Sequence, residues 1–163
     1  MKTFLVLFVL LWSTSSNGQD KHPEHEVIIK TIDKFFLAIN TSDAELTRQL
    51  VLPDAMNYTV GENQDGQWQL RSIPQTYYLD QSNYGPEKIT ERYWSPTLLI
   101  DNHIAVFWAP YDFYIDGEFS HCGIDAFDLV KLDDVWKIGN ASWTRQKIGC
   151  TLHPDGPPAV AEQ

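Results

Sequence analysis

Three residues able to do chemistry fall within one short stretch: Asp112, His121 and Asp125 in APYDFYIDGEFSHCGIDAF, residues 109–127. An imidazole beside a carboxylate can move a proton near neutral pH, while the carboxylate decides which ring nitrogen carries it. The stretch alternates around Asp116-Gly117, and Asp-Gly between alternating runs is a strong hairpin signal because both central residues of a type I′ turn need positive φ. A two-residue loop pairs residues whose numbers sum to 233, which predicts Asp112 opposite His121 and Trp108 opposite Asp125. Directly opposed side chains have Cβ atoms about 4.5–5.5 Å apart, close enough for a carboxylate–imidazole hydrogen bond.

In that register Tyr114, Phe119 and Phe127 share the face, so polar groups sit among aromatic ones, the composition of a small-molecule pocket. The expected ligand-binding set is Trp108, Tyr114, Asp125 and Phe127, with His121 and Asp112 as the catalytic pair if the protein is an enzyme. An aspartate and a histidine paired across strands also serve as a purely structural pair, and a slip of one residue would turn these groups to the other face. Asp112, His121 and Asp125 are acceptable metal ligands without diagnostic spacing, so neither metal nor cofactor is expected. Trp143-Thr144-Arg145 places Arg145 either to bind an anion or on a solvated surface. No Gly-x-Ser-x-Gly elbow, phosphate loop or dinucleotide fingerprint occurs.

The elements that must hold these residues follow from periodicity. Pro23-Glu24-His25-Glu26 opens a helix, with proline in the first turn and acids at the positive end of the dipole. Val27, Ile28, Ile32, Phe35, Phe36 and Ile39 then recur at spacings of three and four, so one side is buried. Ser42-Asp43-Ala44-Glu45 is a capping-box pattern that starts a second helix ending before Pro53, and Ser72-Ile73-Pro74-Gln75 is a weaker start for a third. Met56–Val60 and Gln67–Arg71 read as short strands. From Ile89 the period becomes two, with turn residues at Asp101-Asn102, Asp116-Gly117 and Asp133-Asp134, which predicts strands at about 88–100, 103–115, 118–131 and 135–147. Helices followed by a long meander make an α+β fold with helices on one face of a curved antiparallel sheet. The other sheet face is also apolar and needs a cover, either a second subunit or a terminal segment folded back.

MKTFLVLFVLLWSTSSNG at residues 1–18 has one cation, an apolar run too short to span a bilayer, and Ser16 and Gly18 before the cut, which is the pattern of a secretory signal peptide. Cleavage leaves a chain starting at Gln19, a domain over residues 19–150, and a proline-containing tail, 151–163, expected to be a disordered end. The expected location is secreted or periplasmic, with no membrane anchor. Loss of Lys2 leaves 11 cations against 22 acids, a net charge of −11, which excludes nucleic acid as a partner because phosphate binding needs clustered Lys and Arg. Cys122 and Cys150 either pair in an oxidising compartment or remain thiols; spacing alone does not decide. Asn40, Asn57 and Asn140 each begin an Asn-x-Ser/Thr sequon.

The order of elements and the run WAPYDFYIDGEFSHCGIDAFDLVKLDDVWKIGNASWTRQKIGC, with HCGIDAF, WKI and TR before GC as its specific parts, resemble the nuclear transport factor two-like superfamily in its lumazine-binding, SnoaL-like branch. The resemblance is best from Trp94 to Cys150. It implies a cone-shaped α+β fold, three N-terminal helices packed on a strongly curved sheet around an open pocket, and frequent homodimers. It also implies one of two functions: binding of a small, largely apolar molecule, or cofactor-free isomerase, dehydratase or cyclase chemistry. An interaction module with a vestigial pocket is the third reading, since fold alone does not assign activity.

Overall fold

The computed structural model describes residues 22–63, 65–151 and 153–159. The signal peptide and its cut lie outside the described residues. Two α-helices come first: α1, His25–Thr41, and α2, Ala44–Leu50. Ile28, Ile32, Phe35 and Phe36 are buried on α1 as the spacing predicts, joined by Ala38; Ile39 is partly buried, and Val27, also expected on that side, is exposed. Ser42 closes α1 in the left-handed region (φ 51°), so the cap of α2 passes to Asp43, whose side chain accepts from the Leu46 N–H at 2.9 Å.

Seven strands follow: β1 Met56–Glu62, β2 Trp68–Pro74, β3 Ile89–Tyr93, β4 Thr97–Asp101, β5 Ile104–Ile115, β6 Glu118–Leu132 and β7 Val135–Arg145. They form one curved, unclosed sheet in the order β2-β1-β7-β6-β5-β3, with β4 also pairing β5. The expected third helix is absent as an α-helix. Ser72 and Ile73 pair with Tyr58 and Asn57 inside β2, and the chain then makes only a 3-10 segment, Gln75–Leu79. The expected single strand 88–100 is two strands, β3 and β4, which add to successive lengths of β5 either side of Ser95 (φ 46°). β1 runs parallel to β7, a long-range pairing that local pattern does not announce.

The turns carry the backbone the sequence asks for. Asp116 and Gly117 have φ of 51° and 85°, and Asp133 and Asp134 have 48° and 61°. Gly123 is required by close approach: a Cβ there would lie 1.9 Å from the Thr144 carbonyl oxygen. That carbonyl accepts from the Tyr111 hydroxyl at 2.8 Å, and the Ile124 N–H donates to Thr144 Oγ1 at 2.9 Å, so β6 and β7 are held tightly where ladder pairing ends.

The core lies between the two helices and the concave face of the sheet, with Phe35, Phe36, Phe107, Phe127, Leu129, Trp136 and Ile138 buried together. Each such side chain contributes about 1.5–3 kcal/mol by leaving water. Phe107 and Phe127 stack at 5.2 Å, and Phe35 meets Phe127 edge-on at 5.5 Å. Glu24 ties the start of α1 to the sheet by accepting from Trp136 Nε1 at 2.8 Å and from Lys131 Nζ at 3.2 Å.

Cys122 and Cys150 form a disulfide with Cα atoms 5.8 Å apart. The segment 153–159, expected to be a disordered end, instead makes specific contacts. His153 lies edge-on to Trp94 at 5.2 Å, and Arg92 Nη2 donates to the Gly156 carbonyl at 2.9 Å. The tail therefore covers part of the outer face near Arg92, while Ile104, Val106 and Trp108 on β5 and Leu99 on β4 stay exposed.

Candidate functional site: a lined cavity on the concave face

The hairpin register decides which side chains meet. Next to the Asp116-Gly117 turn, Ile115 pairs with Glu118 and Tyr114 with Phe119, the expected sum of 233. A β-bulge then absorbs Ser120, and from Phe113 opposite His121 onward every pair sums to 234. One extra residue exchanges the faces of β5 relative to β6. Phe113, not Asp112, lies beside His121, and Ala109, not Trp108, lies beside Asp125.

The consequences for the expected site are direct. His121, Asp125 and Phe127 line a concave-face cavity of about 270 Å³. Asp112 is on the other face, opposite Cys122, where Arg92 Nε donates to its Oδ1 at 3.0 Å and Arg92 Nη2 to its Oδ2. Tyr114 is also there, its ring 5.6 Å from the Arg92 guanidinium, and Trp108 is 52% exposed outside the cavity. The His121–Asp112 catalytic pair is thus corrected, as are Trp108 and Tyr114 as cavity residues. The same register separates Asp112 from His121 and Asp125, the three residues a metal would have needed.

The cavity is built from six strands, every one but β4, together with α1, Thr47 of α2 and the 3-10 segment Gln75–Leu79. Phe35 and Ile39 from α1, Ile73, Phe113 and Phe127 supply apolar walls. Along one row of the sheet Arg71 pairs with Thr59, Thr59 with Trp143, and Trp143 with Asp125. On β3, Glu91 sits beside Phe113 and faces the cavity, while its neighbour Arg92 points to the outer face. Asn40 of α1 clamps the Glu91 backbone: its Oδ1 accepts from the Glu91 N–H at 2.7 Å, and its Nδ2 donates to the Glu91 carbonyl at 2.9 Å. Asn57 is satisfied internally, donating to Gln75 Oε1 at 2.9 Å and to the Ile73 carbonyl at 3.3 Å.

Electrostatics single out three lining residues. Burial raises the Glu91 carboxyl from its ordinary 4.5 to about 8, and Asp112 adds to the rise. Burial pushes Asp125 well above its ordinary value, and the Glu91 carboxylate pushes it further. Two desolvated acids so close cannot both ionise readily, so the pair holds at least one proton at neutral pH. His121, 6% exposed, is lowered to about 3, first by burial and then by the positive charges of Arg145 and Lys147. Its ring is therefore neutral, stacked on Phe113 at 4.7 Å, with Nδ1 3.0 Å from the Ser120 hydroxyl. Ser120, the bulged residue, supplies the hydrogen bond to the imidazole that was expected of Asp112, while Phe113 takes the position opposite His121.

Asp125 Oδ2 and Thr59 Oγ1 are both buried and have no hydrogen-bond partner among the described residues, although both residues line the cavity. Unsatisfied buried polar atoms are costly, and here they point to a ligand that would satisfy them. Glu91, Thr59 and Arg71 escaped the sequence reading. Glu91 had a local signal, since in Ile89-Thr90-Glu91-Arg92-Tyr93 it occupies the apolar side of an alternating strand.

No protein-family model matches the chain, and no curated protein matches its sequence. Solved structures do match in shape. A nuclear transport factor 2-like protein from Cytophaga hutchinsonii superposes with a TM-score of 0.61 at 16% identity, covering 77% of this chain and 100% of that one. A nuclear transport factor 2-like superfamily protein from Salmonella enterica gives 0.59 at 16% identity, covering 76% and 92%. A nuclear transport factor 2-like protein with a cystatin-like fold from Novosphingobium aromaticivorans gives 0.60 at 11% identity, covering 77% and 84%. These likenesses show that the chain has the nuclear transport factor 2-like α+β fold, in a form with two α-helices.

Proposed function

We propose that this chain is an exported protein that binds a small, largely apolar molecule in the concave-face cavity. The observation that carries the reading is the pair of unsatisfied polar atoms, Asp125 Oδ2 and Thr59 Oγ1, within a cavity whose walls include Phe35, Ile39, Ile73, Phe113 and Phe127. Binding sites of this kind combine an apolar wall with a few placed polar groups. Export rests on the leader pattern at residues 1–18 and is supported by the disulfide, which persists in oxidising compartments. The lumazine-binding, SnoaL-like branch is the finer placement we favour, on the HCGIDAF and WKI segments.

A second reading, cofactor-free isomerase, dehydratase or cyclase chemistry, is favoured by one observation. The Glu91–Asp125 carboxyl pair, both members raised by burial, faces the cavity, so a protonated acid and a carboxylate base are available from one pair while neutral His121 can only donate or accept a hydrogen bond. A homodimer through the exposed Leu99, Val106 and Trp108 surface belongs to either reading.

The test is a thermal-shift screen of the chain from Gln19 against pterins, flavins, steroids and phenolic polyketides, with His121→Ala and Asp112→Asn in parallel. A ligand at about 100 times its dissociation constant stabilises the native state by about 2.7 kcal/mol. A shift that is lost in His121→Ala and kept in Asp112→Asn supports the cavity. A shift kept in His121→Ala and lost in Asp112→Asn would move the site to the outer face.

A further inference from the structure

The chain has four arginines, and they divide into two kinds. Arg48 pairs with Glu45 and Arg92 with Asp112. Arg71 and Arg145 line the cavity, and among the described residues neither has a carboxylate within ion-pair distance. In a chain with 22 acids against 12 lysines and arginines, two guanidiniums that line one cavity with no ion-pair partner among the described residues need a reason.

Their placement supplies one. Arg71 stands beside Thr59 in the row that ends at Asp125, and Arg145 stands beside Gly61 one step further toward the open end of β1. A Cβ at Gly61 would come within 3.3 Å of the Arg145 Cβ, so glycine leaves the arginine stem room on that face. Both arginines are exposed, whereas Asp125 and Thr59 are buried, so the cavity has a cationic rim and an interior in which apolar walls surround buried polar groups, two of them with unsatisfied oxygens. Because the carboxyl pair keeps at least one proton, the lining carries net positive charge. The Arg145 field already reaches the interior, where it lowers the proton affinity of His121.

We propose that the ligand is a monocarboxylic acid with an apolar ring body, its carboxylate held between Arg71 and Arg145 and a hydroxyl or amide at its far end meeting Thr59 and Asp125. Guanidinium groups match carboxylates with two parallel hydrogen bonds. A volume of about 270 Å³ sits just below the usual range for drug-sized ligands, about 300–1,000 Å³, and so fits one or two rings. The inference rests on reading the cavity as the ligand site and adds the charge the ligand must carry.

The test measures binding by calorimetry for hydroxybenzoate, hydroxynaphthoate and indole acetate, each beside its uncharged amide, at about 50 and about 500 mM salt. Wild type is compared with Arg71→Gln, Arg145→Gln and Arg145→Lys. At least one acid is expected to bind about tenfold or more tighter than its amide, to lose about tenfold in each glutamine variant, to recover partly in Arg145→Lys, and to weaken at high salt. Equal binding of acids and amides, unchanged by the arginine variants, overturns the inference while the cavity stays the ligand site. No binding by any acid or amide overturns both.

Discussion

Glu91 and Asp125 reach one cavity from β3 and β6, the two strands that flank β5, and the Glu91 carboxylate raises the proton affinity of Asp125. Both carboxyls are raised in the folded protein, so their favourable contribution is complete below the unfolded values near 4 and is lost as pH rises toward about 8. His121 runs the other way: its contribution is complete above 6.5 and is lost as pH falls toward about 3. The melting temperature is therefore expected to peak at mildly acidic pH. Asp125→Asn should flatten the alkaline fall and stabilise the protein by about 1 kcal/mol or more at pH near 8. Melting curves across pH check this; an unchanged alkaline slope in Asp125→Asn would sink the carboxyl-pair account.

Asp112 and His121 should separate stability from binding. Asp112 is 4% exposed and holds Arg92, so Asp112→Ala leaves a guanidinium unpaired and is expected to cost about 3 kcal/mol in denaturant unfolding. Ligand affinity of the folded variant should change far less than in His121→Ala, because Asp112 faces away from the cavity and reaches it only through its charge on Glu91. A matching loss of affinity would show that the two faces are coupled.

The disulfide closes a loop with a sequence separation of 28. Chain entropy alone gives it about 3–4 kcal/mol of stabilisation. Cys122→Ser with Cys150→Ser should lower stability by that amount and raise the protease sensitivity of the segment 153–159, which the bond anchors beside Trp94 and Arg92. Unfolding curves and limited proteolysis report the two effects separately.

Asn57 begins a sequon, yet it is 4% exposed and its side chain donates within the fold, to Gln75 and to the Ile73 carbonyl. Expressed in a eukaryotic secretory host, the folded protein should carry no glycan at Asn57, as peptide mass mapping would show. Asn57→Ala should cost about 1–3 kcal/mol by leaving Gln75 unsatisfied; a glycosylated Asn57 in native protein would contradict the buried placement.

Local pattern carried much of the architecture because turns and helix faces are short-range problems. Asp116-Gly117 and Asp133-Asp134 make the turns their residue types require, and β5, β6 and β7 begin and end within about two residues of where alternation places them. The buried face of α1 follows from spacing alone. His121, Asp125 and Phe127 were legible as cavity residues because three inward positions on one strand share a face whatever its partner does.

What pairs with them was a tertiary decision. The bulge at Ser120 shifts one strand by one residue, which sends Asp112, Tyr114 and Trp108 outward and brings Phe113 and Ala109 in. It breaks the alternation of β6 between Phe119, which pairs with Tyr114, and His121, which pairs with Phe113, and no residue type there announces the break. Glu91, Thr59 and Arg71 enter the site only because β1 lies parallel to β7 and β3 adds to β5, pairings between residues far apart in the chain. The sequence by itself determined α1, α2, the strands β5 to β7, their turns and the apolar side of α1; the folded sheet alone decided which acids share a cavity and which arginines guard it, because proximity across strands depends on register and order rather than on neighbours along the chain.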